Sequence, residues 1–577
     1  MNAVGGAKRG DSALNNQQRD RALDLMRATD PEHPLDVLVI GGGVVGCGAA
    51  LDAAARGLSV GLVEMQDLAE GTSSRSSRLA HGGLRYLEQR EFSLVHEALT
   101  ERGLLLDRLA PHLVRPVPFL FPVAKQWQRP YVASGIRLYD LLSRVGAYGG
   151  SMPRPKSLNR EQAKELAPDL NSDEIAGAVR FHDAQIDDAR HTVALARTAV
   201  SYGAQVVTRA RMVSLIRDGD RVVGARIQVE GPEAAGAGSN TVSFAVYARC
   251  VIGAVGVWTD QLIHMDNSEA ASKVQQSKGV HLVVPAESIR STTAIIARTA
   301  ASVLFLLPWG RFWLIGTTDT PWGADAGEGG DPADPEATDA DIDYLIEQAN
   351  RWLARPIRRS DVVATYAGLR PLLAAGNEAD ETTALSREHS VFRPSPGLVL
   401  IAGGKYTTYR VMAKDVVDAA LEDLVNDPSS DTARQFGPST TEDIPLNGAD
   451  EYARLWATRP ALAAEVGLPV GVVEGLLRRH GDRIVEVLDV IAADPTAAHP
   501  LIPDAPYLKA EVAAAVKFAG ARTIDDVLTR RLRVTLEVAD EGRGAAIAAV
   551  PIIAPLLGWS PLAAEQQLAD FDSRSRS

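Results

Sequence analysis

Two glycine clusters, joined by a scatter of arginines, histidines and one lysine, carry the chemistry open to this 577-residue chain. Gly41, Gly43 and Gly46 spell G-x-G-x-x-G within DVLVIGGGVVGCGAALDAAARGLSVGLVE, residues 36–64. In a dinucleotide fold Gly41 permits the tight turn, Gly43 lets the backbone approach a pyrophosphate, and Gly46 lets the next helix pack close to the strand. The diphosphate then lies at a helix N-terminus, where N–H groups and the dipole favour an anion. Glu64, 23 residues beyond Gly41, would accept hydrogen bonds from a ribose, and its charge disfavours a 2′-phosphate.

The second cluster is GLVLIAGGKYTTYR, residues 397–410. Gly403 and Gly404 aim backbone N–H groups at the far end of an extended cofactor, and Lys405 adds a positive charge. A flavin needs such a partner because its ring gains negative charge on reduction. Between the clusters, GTSSRSSRLAHGGLRYLE (residues 71–88) holds four serines, three arginines and a double glycine, a composition suited to a loop beside a flavin or phosphate. Arg85, Arg370 and Arg387 sit at turn or strand-end signals rather than in helical stripes. Their planar forks suit phosphate or carboxylate, with a plain surface position as the alternative. His81 and His281 are candidate bases, although a histidine inside a strand, as His281 is, also fits a satisfied core residue.

The elements that must position these groups follow from periodicity. A buried strand at 37–40, a small-residue helix at 47–56 and a strand at 59–63 frame the first cluster. Helices are expected at 14–26, 92–109, 131–142, 189–202 and 342–352, and strands at 279–284 and 303–307. The run PVPFLFPV, residues 116–123, reads as an edge strand or bound loop because of its prolines. Residues 250–258 repeat the strand-then-glycine pattern, and 309–323 has hairpin character. A strand at 397–402 delivers Lys405 to a helix at 407–424. Residues 1–12 read as disordered and 426–443 as a linker. Beyond it only helices follow, the last (540–557) broken or kinked at Pro551. The fold class is therefore α/β with an α+β substrate domain and an all-α C-terminal domain. The expected division is a tail with a short helix (1–34), interleaved cofactor and substrate domains (35–435, the substrate part near 85–180 and 275–390) and a helical domain (436–577).

Composition narrows the function. The net charge of -13 argues against nucleic-acid binding, and 46% apolar content is ordinary for a soluble protein. Cys47 and Cys250 read as buried apolar fillers, and no zinc spacing occurs, so no metal is expected. Residues 1–34 lack the apolar core of a secretory signal, and no run reaches eighteen apolar residues. A cytoplasmic protein, or one lying on a membrane surface, is expected.

The ordered set GGGVVG, TSSRSSRLAHGGLRYLE, DDAR, KGVHLVV, PWGRFWLIGTTDT, AGLRPL, GGKYTTYR, LLRRHGD and ARTIDDVLTRR resembles the bacterial FAD-dependent glycerol-3-phosphate dehydrogenases. These belong to the D-amino-acid-oxidase-like flavoprotein superfamily, and the match runs from about Asp36 to beyond Arg533. The resemblance implies a Rossmann-type FAD-binding fold. It puts Gly41, Gly43, Gly46, Glu64, Thr72, Ser73, Ser74, Ser77, His81, Gly82, Gly256, Gly403, Gly404 and Lys405 at the cofactor. It gives Arg85, Tyr86, Arg370 and Arg387 to the substrate, with Arg370 and Arg85 gripping the phosphate, and makes His281, Lys405 and Arg370 the catalytic set.

The implied reaction removes the C2 hydroxyl proton of sn-glycerol 3-phosphate, with His281 as base, and passes hydride to flavin N5, giving glycerone phosphate. If His281 only orients, His81 or an arginine-bound water takes its place. A membrane quinone as acceptor and a peripheral position on the inner face of the cell membrane also follow from the resemblance, and a homodimer is expected. The 14–26 helix and PVPFLFPV are the expected membrane contacts. The chain departs from the family at Arg75 and Arg78, where small and lysine residues are common, and at Gly253, in place of an asparagine. The alternatives are a peroxide-forming oxidase, a flavin-bound scaffold or an amino-acid oxidase, the last disfavoured by the phosphate-suited arginines.

Overall fold

Strand Leu35–Ile40 lies at the centre of a parallel array because each of its residues from Val37 onward is apolar and buried. A computed structural model describes residues 10–88, 90–145, 152–171, 175–230, 241–299, 303–323, 329–374, 388–425, 436–503, 505–538 and 540–574, without the side chains of Arg85, Glu88, Val145 and Glu230. Arg387, the loop 231–240 and most of the expected linker fall outside them.

Leu35–Ile40 pairs in parallel with Val60–Val63 on one side and Thr241–Gly253 on the other. Leu398–Gly403 and Gln205–Val207 extend the array outward. Helices Val44–Ala55, Asp188–Ser201 and Tyr409–Val425 contribute to the apolar core on one face. The N-terminal helix Asn16–Arg27 and the antiparallel strands Ala210–Asp218 and Arg221–Glu230 contribute to the core on the other. Burial on both faces is what near-continuous apolar strands require. Cys47 and Cys250 are buried free thiols within this unit.

The second sheet draws on residues 79–186 and 274–373 and is antiparallel apart from the pairing of Ala294–Arg298 with Val114–Val123. Strand Val274–Pro285 is its pivot, flanked by Phe312–Gly316 and Ala364–Leu373. After residue 436 the described chain carries helices but no named strand, among them Lys509–Phe518, Arg543–Leu557 and Pro561–Arg574.

Four expectations change. PVPFLFPV is an interior strand, Val114–Val123, between Ala294–Arg298 and Gly177–Ile186. Its three prolines, 116, 118 and 122, share one parity, so their missing donors fall on one side of the strand. The N-terminal helix buries Ala22, Leu23 and Met26 in the core. The apolar residues of both segments thus go mainly to the core, with Leu25 of the helix left exposed. Gly10 and Ser12 are tied down, Gly10 N–H donating to Ser201 O and Ser12 accepting from Arg197 and Asn447. The last long helix runs unbroken through Pro551 and Pro555, and another, Pro561–Arg574, follows it.

Candidate functional site

The first glycine cluster is a loop wound around an acid. A Cβ on Gly41 (φ +108) would lie 2.5 Å from the carbonyl oxygen of Ala254, and one on Gly46 only 2.0 Å from that of Gly41. No other residue type fits either place. Glu64 Oε2 accepts the Gly42 N–H at 2.7 Å and Oε1 the Gln66 N–H at 2.8 Å. Burial pushes this carboxyl above its ordinary value, while the two N–H groups pull against that. The acid expected at a ribose thus also holds the loop. Ser73 Oγ accepts the Val44 N–H at 2.9 Å, tying the serine-rich loop to the helix start.

The second cluster meets the same loop. Thr407, just after Lys405, accepts the His81 N–H at 3.0 Å, so the two glycine turns are joined. Lys405 Nζ stands 3.6 Å from the centre of the Tyr86 ring, a cation–π contact.

The second sheet supplies the remaining polar groups. Ser277 and His281 of Val274–Pro285 face Arg370 and Tyr366 of the neighbouring strand in register. The His281 ring stacks on Tyr366, centroids 4.7 Å apart and planes within 5°. On its other side there is room only because Gly316 has no side chain, a Cβ there falling 2.3 Å from the ring. Nε2 lies 2.9 Å from Ser77 Oγ, whereas Nδ1 is buried and, among the described residues, has no hydrogen-bond partner. Burial first, then Arg370 and Arg78, push its pKa down to about 3, so the ring is neutral at physiological pH. Arg370 crosses bare Gly279 and donates to Thr317 Oγ1 at 2.9 Å, Thr318 O at 3.0 Å and Ser277 Oγ at 3.2 Å, with Asp319 at 3.3 Å.

These groups line one cavity of about 410 Å³, running from Gly41, Gly43 and Glu64 past Thr72, Ser73 and Ser77 to His281 and Arg370. His81, Tyr86, Gly256, Gly403, Gly404 and Lys405 also line it. Ser74 and Gly82 do not. The Ser74 carbonyl accepts from Arg533, and the Gly82 N–H is taken by the Tyr139 hydroxyl at 2.7 Å. Gly46 packs behind the loop rather than lining it. Arg387 and the side chain of Arg85 lie outside the described residues. Sequence reasoning missed Arg75, Gly279 and Trp258 on the wall, and Gly316, Thr317 and Asp319 behind it. Of these, only the Thr-rich turn after the hairpin gave a signal.

The profile of the FAD dependent oxidoreductase (DAO) family matches residues 36–418, and that of the C-terminal domain of alpha-glycerophosphate oxidase matches residues 439–564. Glycerol-3-phosphate dehydrogenase 2 of Mycobacterium tuberculosis is 46% identical over 540 residues, covering 93% of this chain and 88% of that protein. Glycerol-3-phosphate dehydrogenase of Mycobacterium leprae is 46% identical over 564 residues, covering 98% and 91%. The chain belongs to the glycerol-3-phosphate dehydrogenase family. The crystal structure of the Bacillus halodurans glycerol-3-phosphate dehydrogenase complexed with FAD superposes with a TM-score of 0.75 at 27% identity, covering 98% of each chain.

As in this family of flavoproteins, FAD is the cofactor. The fit is visible in the bare backbone of residues 41–43, in the cavity that joins it to the second glycine turn, and in the helix start at Val44. The departures from the family pattern have local causes. Gly253 leaves no room for an asparagine, since even a Cβ would meet Leu400 at 2.4 Å and Leu262 at 2.6 Å. Arg75 pairs with Asp334 at 3.0 Å. Arg78 is completely buried, its guanidinium stacked 4.1 Å over Trp309 with no hydrogen-bond partner among the described residues.

The helical C-terminal region braces the site from behind. Arg533 donates to Ser74 O and to Asp188, and Asp188 accepts from Ser76 N–H at 3.1 Å and its hydroxyl at 2.7 Å. Arg530 and Arg531 both grip Asp67, at 2.6 and 2.7 Å. Burial opposes ionisation of Asp187, but Arg190, Arg533 and Arg78 outweigh it and hold the carboxyl well below its usual range.

Proposed function

We propose that this chain oxidises the C2 hydroxyl of sn-glycerol 3-phosphate to the ketone of glycerone phosphate and passes the electrons to a quinone. The observation that carries this reading is the convergence of His281, Arg370, Tyr86 and Lys405 in the cavity that begins at the Gly41 loop. FAD, when bound, supplies the hydride acceptor at N5. Gly41, Gly43, Glu64 and the serine loop hold it.

The chain's own groups do the rest. Arg370 grips the phosphate, fixing the small substrate by its remote end so that C2 is oriented for transfer. Thr317, Thr318 and Asp319 keep the Arg370 fork rigid. The C2 hydroxyl takes the place of Ser77 Oγ at Nε2 of His281, and its proton goes to that nitrogen; the ring is neutral and so able to accept, and the dianionic substrate beside it raises its basicity. Tyr366, stacked on the ring, fixes it. Lys405 supplies positive charge that favours the reduced cofactor. A quinone is dissolved in lipid, so the same reading puts the chain on the inner face of the cell membrane. No single helix among the described residues is long and apolar enough to cross one.

Anaerobic mixing of the purified holoprotein with sn-glycerol 3-phosphate should bleach the flavin's visible band, and a soluble quinone analogue should restore it while air restores it slowly. No bleaching overturns the substrate. Fast recovery in air favours a peroxide-forming oxidase, a second reading supported by the C-terminal match to the alpha-glycerophosphate oxidase domain.

A further inference from the structure

The seam between the cofactor unit and the helical C-terminal region holds a second cavity of about 60 Å³, which shares no lining residue with the larger one. Its cations come from both sides. Arg190 and Arg197 stand two turns apart on one face of the helix Asp188–Ser201, and Arg479, Arg483 and Arg531 belong to the helical region. Two acids, Glu486 and Glu511, reach the wall, and each is already held, by Arg197 at 3.0 Å and by Arg479 at 2.7 Å. The acids that partner the other three arginines, Asp187, Asp482 and Asp67, are not on the wall. Guanidinium groups thus outnumber carboxylates at the cavity surface, among apolar neighbours such as Val193 and Ala515 that keep the local dielectric low.

Ion pairs leave part of this wall unsatisfied. His112, also on it, is 6% exposed, and its Nδ1 has no hydrogen-bond partner among the described residues. Arg190 gives Nη1 to Asp187 and Nη2 to the Leu532 carbonyl at 3.1 Å, and its buried Nε has no partner there either. Arg483 spends Nε on Asp482 at 2.8 Å. Buried polar groups left unpaired are costly, so a native fold supplies them with a partner. A space of this size holds a few waters or one small polyatomic ion, and the excess of guanidinium selects an anion. Burial above all pushes His112 down to about 3, so its ring is neutral and offers one donor and one acceptor. Hydrogen phosphate carries both a hydroxyl and acceptor oxygens, and so satisfies either tautomer. We propose that this seam cavity is a binding site for inorganic phosphate, which cross-links the helical region to the cofactor unit.

The position gives the site a consequence. Arg190 is paired with Asp187, and the next residue, Asp188, holds both Ser76 of the serine-rich loop and Arg533 of the helical region. A phosphate shared by Arg190 and Arg483 therefore ties the helical region to the very helix whose first turn supports that loop. A ligand that binds only the folded chain stabilises it by mass action. A three-carbon phosphate ester is a poorer occupant, because the apolar part of the wall offers its hydroxyls no hydrogen bond.

The test uses the full-length holoprotein in phosphate-free buffer, titrated calorimetrically with inorganic phosphate. Arg370→Gln is introduced first, to remove phosphate binding at the larger cavity. That variant should still take up one phosphate, and its thermal unfolding midpoint should rise as phosphate is added. Adding Arg483→Gln should weaken this binding by about tenfold, the loss of a charge-assisted hydrogen bond, and flatten the rise, whereas Arg483→Lys should retain more of both. sn-Glycerol 3-phosphate should compete poorly. Wild-type holoprotein crystals soaked in arsenate should show its anomalous peak between Arg190 and Arg483, which locates the site without any variant. No uptake by Arg370→Gln overturns the proposal and makes the seam a water-filled gap. So does an Arg483→Gln variant that binds phosphate as well as its parent, or an arsenate peak confined to the Arg370 end.

Discussion

The two ends of the cavity hold their ligands by different means. At the Gly41 end the wall is backbone: glycines whose missing side chains make the space, and a glutamate whose oxygens are engaged by Gly42 and Gln66. At the second-sheet end the wall is side chain: His281, Arg370 and Tyr86, set by neighbours such as Gly279, Gly316 and Tyr366. A backbone end tolerates almost no change in shape and is nearly indifferent to charge. A side-chain end keeps its shape under substitution and loses chemistry instead. Binding and reaction are thus separable along one cavity.

The sharpest way to break this separation is Gly41→Ala. Its Cβ meets the Ala254 carbonyl oxygen at 2.5 Å in a backbone with φ +108, a strain that should cut FAD affinity by about a hundredfold or more. The protein should purify nearly colourless. Calorimetry should still detect sn-glycerol 3-phosphate at the far end, within about threefold of the wild type in affinity. Loss of both would mean that the two ends are one site. Arg370→Gln works from the other end with a smaller effect. The flavin band should survive, while kcat/KM for glycerol 3-phosphate falls by about 10²–10³, the cost of a lost charge-assisted fork to phosphate. Turnover of unphosphorylated glycerol should hardly move, and Arg370→Lys should recover part of the loss. An equal fall with both substrates would take the arginine off the phosphate.

The same contrast explains what the sequence disclosed. The Gly41 loop, the strand before it, Glu64 and the second glycine turn were legible because each is a local string whose residues act on their near neighbours in the chain. His281 and Arg370 meet only through the pairing of two antiparallel strands, Val274–Pro285 and Ala364–Leu373, so resemblance to a family, not spacing, brought them together. The grip of Arg530 on Asp67 and of Arg533 on Asp188 spans most of the chain and left no local pattern. PVPFLFPV misled because its prolines suggested an edge, whereas their shared parity confines the missing donors to one side of the strand.

One charged group at the backbone end sharpens the comparison most delicately. Glu70 lines the cavity rim and shares a buried cluster with Asp67, Asp525 and Asp526, facing Arg530 at 2.9 Å. Burial, then the neighbouring acids against the pull of Arg530, push its carboxyl up to about 7. A carboxyl raised in this way is protonated in the folded chain at pH values where the unfolded chain ionises it. Its contribution to stability is therefore complete below the ordinary carboxylate range and is lost as pH rises toward 7. Glu70→Gln is neutral at every pH. In urea unfolding it should match the wild type near pH 4.5 and exceed it at pH 8 by about 2–3 kcal/mol, the pull of Arg530 being already contained in the raised value. The flavin band should not change, because the glycine loop binds through its backbone. A variant less stable at both pH values would show instead that Arg530 needs this charge, and that even the backbone end is held in place by electrostatics.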